Sequence, residues 1–345
     1  MEYAPLGGTG MKVSRLCLGC MMFGAWGNAD RDECTRIIGR AVEAGINLLD
    51  TANVYSAGES EEIVGAAIRS LGLDRDDLVV ATKFHAPMGE GPNDSGNHRK
   101  HIFRAVEDSL RRLGTDYVDL YQAHRMDPVT EVEETLGALN DLVRQGKVRY
   151  LGSSTFPVSA IVEAQWAARR RRLDRFVSEQ PPYSILVREA EKEVLPTARR
   201  YHMGVIVWSP LAGGWLSGNY RWGRDLPATG RAQRIPARFD PALPGNQRKL
   251  DAVERLVPIA DKAGLTLAEL GVAWTLVHPA VTAAIIGPRT LPQLEGLLGT
   301  ADVRLTTETL DAIDDVVPPG GTLNPADLGV ENVQLRPANR RRPGV

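Results

Sequence analysis

The chain has 345 residues, 43% of them hydrophobic and 24% charged, and 41 basic against 43 acidic side chains leave a formal net charge of -2. So even a balance gives no electrostatic footprint for nucleic acid, a lipid surface or a polyanionic partner, and the expected partner is a small molecule. The start, MEYAPLGGTG, lacks the basic and apolar regions of a signal peptide, and no apolar run is long enough to span a bilayer. These features predict a cytoplasmic protein that does not enter a membrane.

The opening stretch EYAPLGGTGMKVSRL reads as two short strands around a glycine turn, a hairpin suited to plug the bottom of a barrel. The next run, RLCLGCMMFG, holds Cys17 and Cys20 in a C-x-x-C spacing. A redox pair usually opens a helix, and Cys34 supplies no second pair for a metal site, so strand packing is the expected role of both. With three cysteines in all, a disulfide framework is not expected either, which agrees with a reducing compartment.

Short apolar runs then recur at 16–19, 47–50, 78–82, 117–122, 148–153, 176–180, 204–208 and 282–286, eight predicted strands in all. Between them lie amphipathic segments such as DECTRIIGRAVEAG, SEEIVGAAIRSLG, HIFRAVEDSLRRLG, VEETLGALNDLVRQGK and VSAIVEAQWAARR, several closed by a glycine just past the helix. Alternation of strand and helix implies a parallel sheet. Eight units in this length, with no G-x-G-x-x-G opening any of the first helices, predict a closed (β/α)8 TIM barrel over an open doubly wound sheet. The reading is one barrel domain over 1–330, followed by a disordered tail at 331–345 that ends RPANRRRPGV. The Gly-, Pro- and Arg-rich segment 217–247 follows strand seven and is predicted as a long loop over the barrel mouth.

In such barrels the active site lies at the C-terminal ends of the strands. The residues there are polar: Asp50, Lys83, Gln122 and His124, then Ser153, Ser154 and Thr155, then Gln180, Trp208 and Ser209, and finally Gly287 and Arg289. Any one of them has a bland explanation, but the barrel sends all of them to one place. Tyr55 follows Asp50 on the loop into the next helix. An ammonium at Lys83 is expected to lower the pKa of the Tyr55 phenol, Asp50 to pair with Lys83, and His124 to orient a substrate oxygen. Such a quartet suits protonation of an oxygen that gains negative charge. That is half of a carbonyl reduction, and the hydride for the other half implies a nicotinamide cofactor. Near the last strand, Arg289 beside a helix start with Thr290 as N-cap forms a candidate phosphate site.

The stretches LLDTANVYSAGESEEIVG, ATKF, YVDLYQAHRMDP, GKVRYLGSSTF, VSEQPPYSIL, VIVWSPLAGGWLSG and IIGPRTLPQLEG follow one another in an order and spacing that resembles the aldo-keto reductases, over nearly the whole chain. The resemblance implies NADPH-dependent, reversible carbonyl reduction on a TIM barrel without a Rossmann fold, with Asp50, Tyr55, Lys83 and His124 as the catalytic tetrad. It implies further that Ser154, Thr155 and Gln180 hold the nicotinamide carboxamide of NADPH or NADP+, and that Trp208 stacks on the ring. Ser209, Leu211, Gly213 and Gly214 would line the pyrophosphate, while Arg289 and Gln293 would face the 2'-phosphate. Three positions depart from the family pattern: Thr155 stands where Asn is usual, Trp208 where Tyr is usual, and Gly287 and Leu297 where many members have Lys and Asn.

Phe23, Trp26, His85 and Met88 are expected around the substrate, with Met22 and the segment from Tyr220 to Asn246. Phe23 and Trp26 suggest an apolar or aromatic substrate, or else packing beneath the cofactor. The expected partner is a small carbonyl compound, with no metal, nucleic acid or membrane, and the exterior helices leave room for a homo-oligomer. Two other functions compete. One is a channel-associated subunit that binds the cofactor and reports redox state with slow chemistry. The other is a barrel isomerase or hydrolase whose anion site takes a substrate phosphate, which would leave Trp208, Ser154 and Gln180 without roles.

Overall fold

The computed structural model describes residues 1–224, 232 and 234–330. The predicted tail at 331–345, and residues 225–231 and 233 of the predicted long loop, lie outside the described residues.

Each predicted apolar run becomes a parallel strand. They are β3 (Leu16–Gly19), β4 (Leu48–Asp50), β5 (Val79–Phe84), β6 (Val118–Ala123), β7 (Val148–Ser154), β8 (Phe176–Gln180), β9 (Gly204–Val207) and β10 (Ala283–Ile286). They close in sequence order, with β10 pairing β3 and completing the ring, so the fold is the expected (β/α)8 TIM barrel. The helices between successive strands are α1 (Arg31–Glu43), α2 (Glu59–Ser70), α3 (Arg99–Leu113), α4 (Val132–Arg144), α5 (Val158–Arg171) and α6 (Val194–Arg200). After β9 come α7 (Pro244–Lys262) and α8 (Leu267–Val277), and after β10 come α9 (Leu291–Leu298) and α10 (Thr307–Val316).

Two differences from the sequence reading bear on the site. Strand β5 runs on to Phe84 because Lys83 and Phe84 pair with Gln122 and Ala123, so Lys83 lies inside the sheet instead of just beyond it. The predicted loop 217–247 is shorter than expected. Pro244, whose ring presets the first helical φ, starts α7 inside it, and a 3-10 turn, Pro236–Arg238, precedes that helix.

The core has an inner and an outer layer. Leu48, Val79, Ala81, Leu120, Ile206, Ala283 and Ile285 fill the barrel interior together with Leu6 and Val13 of the N-terminal hairpin. That hairpin, β1 (Tyr3–Pro5) and β2 (Lys12–Ser14), pairs antiparallel and plugs the lower end as expected. Gly7 carries its turn at φ +59°, where a Cβ would lie 2.4 Å from the backbone nitrogen of Gly204, so the plug seats only with glycine there. The outer layer packs the other faces of the strands against the helices and includes Phe23, Cys20 and Cys34. Cys17 belongs to the inner layer, and all three thiols are buried and unbonded to one another. Burial pushes the thiols of Cys17 and Cys20 well up, and that of Cys34 to about 11, which leaves them in the unreactive thiol form. Among the described residues no helix is long and apolar enough to cross a membrane.

Helices α2 and α3 meet at Gly65, where an added Cβ would sit 2.1 Å from the carbonyl oxygen of Leu113. Replacing Gly65 by Ala is therefore expected to destabilise the fold by about 1–3 kcal/mol, the usual cost of overpacking. Urea denaturation measures this, and an unchanged midpoint would show that the helices separate without cost.

Candidate active site

Side chains alternate along a strand, so a residue two beyond an inward-facing one also points inward. Leu48, Ala81 and Leu120 face the barrel interior, and two residues further on stand Asp50, Lys83 and Gln122. Gln180 ends β8 in the same layer. The result is a polar floor above an apolar core. Lys83 Nζ donates to Asp50 Oδ2 at 2.6 Å, to the Thr51 carbonyl at 2.8 Å and to the Tyr55 hydroxyl at 3.2 Å. The other carboxylate oxygen, Asp50 Oδ1, accepts from Gln122 Nε2 at 3.1 Å and Gln180 Nε2 at 2.9 Å. Lys83 is fully buried and Asp50 nearly so, and each has its partners within hydrogen-bond distance.

Tyr55 is brought down onto this floor by a constrained loop. The residues that follow it, Ser56, Ala57 and Gly58, have φ of 48°, 56° and 101°. Non-glycine residues in that region cost about 1–3 kcal/mol each and persist only where neighbours hold them. Ser56 is held on both sides, accepting from the Trp26 N–H at 3.0 Å and donating to the Phe23 carbonyl at 3.3 Å. His124 follows β6, its N–H bonded to the Phe84 carbonyl at 3.0 Å, and its ring meets the Tyr55 ring edge-on at 5.8 Å. Asp50, Tyr55, Lys83 and His124 thus come together at the C-terminal end of the barrel.

Their protonation follows from burial and neighbouring charge. Desolvation pulls the Lys83 ammonium down, but the Asp50 carboxylate and the Tyr55 oxygen more than offset it, and the net displacement is upward. The Tyr55 phenol corrects the sequence reading. Lys83 acts in the expected downward direction, but burial outweighs it, and the phenol lies above its ordinary value. Desolvation, reinforced by Lys83 and Arg125, holds His124 well below the usual imidazole range. At neutral pH the group is therefore a charged lysine, a protonated phenol and a neutral imidazole.

Of the residues assigned to a cofactor, Ser154, Thr155, Gln180 and Trp208 connect to this floor by hydrogen bonds. The Ser154 hydroxyl donates to the Gln180 carbonyl at 3.0 Å, and the Trp208 indole N–H donates to Thr155 Oγ1 at 3.2 Å. Thr155 adopts φ +54°, a conformation that Asn tolerates and that a β-branched side chain resists, which gives this departure from the family pattern a physical cost. Past Trp208, Ser209, Ala212, Gly213 and Gly214 all have positive φ, and Leu211 accepts the N–H of Gly214 at 2.8 Å. These left-handed residues curl the backbone tightly after β9. At the start of α9, Arg289 and Gln293 are exposed, and the Gln293 side chain accepts the Arg289 N–H at 2.8 Å. Thr290 occupies the N-cap position as expected but makes no capping bond through its side chain. An aromatic face, a carboxamide, a curled backbone and an exposed guanidinium have the chemistry to fit the parts of a nicotinamide dinucleotide.

The four residues assigned to the substrate separate. Trp26 lies 6.0 Å from the Tyr55 ring and carries the Arg234 guanidinium 4.6 Å above its own. His85, at φ +121°, bonds Asn97 at 3.0 Å, and Met88 is half-buried on the same loop. Phe23 does not reach the mouth; it is fully buried in the outer core, where apolar packing outcompetes exposure. Three residues without an assigned role join the site. Gln122, two residues beyond inward-facing Leu120, is legible from strand period alone. Arg125 and Glu179 are not, because nothing local says that a loop cation and a strand acid come within reach of each other's charge beside it. Glu179 is fully buried, accepting from the Ser153 hydroxyl at 2.5 Å and the Phe156 N–H at 3.2 Å, and burial pushes its carboxyl up to about 7.

The family model for the aldo/keto reductase family matches residues 15–318, a span that holds Asp50, Tyr55, Lys83 and His124. The chain belongs to that family. It is 41% identical over 332 residues to the uncharacterized oxidoreductase YrpG of Bacillus subtilis (strain 168), covering 93% of this chain and 98% of that one. A probable voltage-gated potassium channel subunit beta of Arabidopsis thaliana is 39% identical over 328 residues, 92% of this chain and 97% of its own. A putative aryl-alcohol dehydrogenase of Schizosaccharomyces pombe (strain 972 / ATCC 24843) is 35% identical over 341 residues, 91% and 95% of the two chains. Family and relatives place the chain among the oxidoreductases that act on carbonyl compounds.

Because the folded Glu179 binds its proton more tightly than an ordinary carboxyl, its neutral form favours folding at low pH. That advantage is lost as pH rises from the usual carboxylate range through about 7. Glu179→Gln should remove this dependence, so that its stability falls less than the wild type's between about pH 5 and 8, by on the order of 3 kcal/mol. Parallel denaturation curves at the two pH values would contradict the assignment.

Proposed function

We propose that the protein reduces aldehydes and ketones to alcohols with NADPH, reversibly, and that Tyr55 is the proton donor. The observation that carries this is Lys83 Nζ, within 3.2 Å of the Tyr55 hydroxyl and 2.6 Å of Asp50. When bound, the cofactor supplies the hydride that no side chain can. The chain's own residues supply the rest. Tyr55, held protonated by burial, hands its proton to the carbonyl oxygen as negative charge gathers there. Lys83 then balances the phenolate left behind, and Asp50 fixes the ammonium in place. Neutral His124 donates a hydrogen bond to the same oxygen, which orients the carbonyl and stabilises its developing charge.

Ser154, Thr155 and Gln180 are the proposed carboxamide partners, Trp208 the stacking face, and Ser209, Leu211, Gly213 and Gly214 the pyrophosphate cradle. Arg289 with Gln293 is the proposed 2'-phosphate site, and the exposed guanidinium supports NADPH over NADH. Trp26, His85 and Met88 are the proposed substrate wall. Three buried free thiols fit a cytoplasmic location.

A second reading draws on the likeness to the Arabidopsis channel subunit: a protein that binds the cofactor and reports its redox state with little turnover. The complete tetrad argues for turnover, and the two readings separate in one assay. Purified protein is expected to oxidise NADPH with an aromatic aldehyde such as benzaldehyde, faster than NADH at equal concentration. Cofactor binding without turnover would favour the reporter. Tyr55→Phe should cut turnover by roughly 100-fold or more while sparing NADPH binding, the usual span of general acid catalysis. Retained turnover would remove Tyr55 from its role.

With the phenol displaced upward, reduction is expected to hold its rate through neutral pH and fall only in the alkaline range where Tyr55 ionises. Alcohol oxidation, which needs the phenolate, should rise over the same range. A reduction rate that falls through neutral pH instead would show a different proton donor.

A further inference from the structure

The charges around the tetrad do not cancel. Lys83 is neutralised by Asp50 at 2.6 Å, and Tyr55 and His124 are uncharged at neutral pH, which leaves Arg125 with only the partly protonated Glu179 acting on it through space. Among the described residues its guanidinium forms no ion pair. Its one hydrogen bond runs from Nη1 to the carbonyl of the preceding residue, His124, at 2.5 Å. A guanidinium carries five N–H donors in a planar fork, so four remain for another acceptor. Glu179 lies close enough to feel the charge, but its oxygens bond the Ser153 hydroxyl and the Phe156 N–H and form no ion pair with the guanidinium.

The position of this cation is specific. Its field acts on both the Tyr55 phenol and the His124 imidazole. Its Nη2 lies 3.6 Å from the point where a side chain on Gly329 would begin, and that same point is 2.8 Å from Cη2 of Trp208. The guanidinium is therefore near the Trp208 indole and tied to the residue that orients the carbonyl, His124. A half-buried charge held there without an ion-pair partner among the described residues gains from an anion that arrives with the ligand.

We propose that Arg125 anchors the substrate and that the preferred substrates are aldehydes or ketones carrying a carboxylate. This rests on the reductase reading above and names its substrate class. The two carboxylate oxygens pair with the guanidinium fork while the carbonyl oxygen meets Tyr55 and His124. The carboxylate is unchanged in the reaction; the carbonyl carbon gains the hydride, its oxygen gains the Tyr55 proton, and the cofactor is oxidised.

Benzaldehyde and 4-carboxybenzaldehyde differ only in the anion, and the ratio of their kcat/KM values cancels any effect common to both. In Arg125→Gln the ratio of carboxylated to neutral substrate should fall on the order of 10- to 100-fold, mainly through KM, as loss of a charge-assisted hydrogen bond predicts. Arg125→Lys should recover part of it. A ratio within about twofold of wild type overturns the proposal and leaves Arg125 as a clamp on the His124 carbonyl. Loss of NADPH affinity in Arg125→Gln with the ratio unchanged overturns it too, by assigning the cation to the cofactor. If neither aldehyde turns over in the wild type, the reductase reading fails by itself. Calorimetric titration with benzoate in the presence of NADP+ then decides the anchor: binding that Arg125→Gln abolishes sustains it, and binding that is absent or indifferent to the substitution overturns it.

Discussion

Lys83 is a fully buried ammonium, and the site is organised around keeping it charged. Burial alone would drive the proton off; Asp50 Oδ2, the Thr51 carbonyl and the Tyr55 hydroxyl each take one of its three donors. Asp50 is in turn secured by the amides of Gln122 and Gln180, so residues from four strands meet on one carboxylate. Removing one member of such a pair leaves the other buried and uncompensated, at about 3–5 kcal/mol. The same bonds that hold the barrel's top layer together therefore fix the position of the phenol.

Backbone strain collects around this layer. Among the described residues eight non-glycine positions have positive φ, and six of them, Ser56, Ala57, His85, Thr155, Ser209 and Ala212, lie on loops leaving the C-terminal ends of strands. Hydrogen bonds over-determine several of them: Ser56 is tied to the loop carrying Phe23 and Trp26, and Thr155 to the indole of Trp208. The lower end is built differently, from an apolar hairpin plug whose glycine turn seats against β9. Stability is placed at one end of the barrel and strained, polar geometry at the other.

The family holds both oxidoreductases and channel subunits that match this chain along almost their whole length. Overall likeness therefore does not separate catalyst from reporter. What bears on that choice is local: a protonated phenol against a charged lysine, a neutral imidazole beside it, and a guanidinium that forms no ion pair among the described residues. The protonation states follow from desolvation set against a few neighbouring charges.

The sequence by itself determined the barrel. Strand and helix periods depend on residues a few positions apart, and eight repeats leave one way to close a parallel sheet of this length. It also determined that polar residues end those strands, and the two-residue alternation from Leu48, Ala81 and Leu120 to Asp50, Lys83 and Gln122 was legible in the same way. Tertiary structure decided what depends on distant neighbours. The Tyr55 phenol moved up instead of down because burial, which no local pattern encodes, exceeded the pull of Lys83. Phe23 went to the outer core although it lies three residues from Trp26, which faces Tyr55. Pro244 began a helix where composition suggested loop. Glu179 and Arg125 gained their character from Ser153, Phe156, Trp208 and Gly329, residues far from them in the chain or across a strand. Desolvation and charge act through space, and only the folded chain fixes those distances.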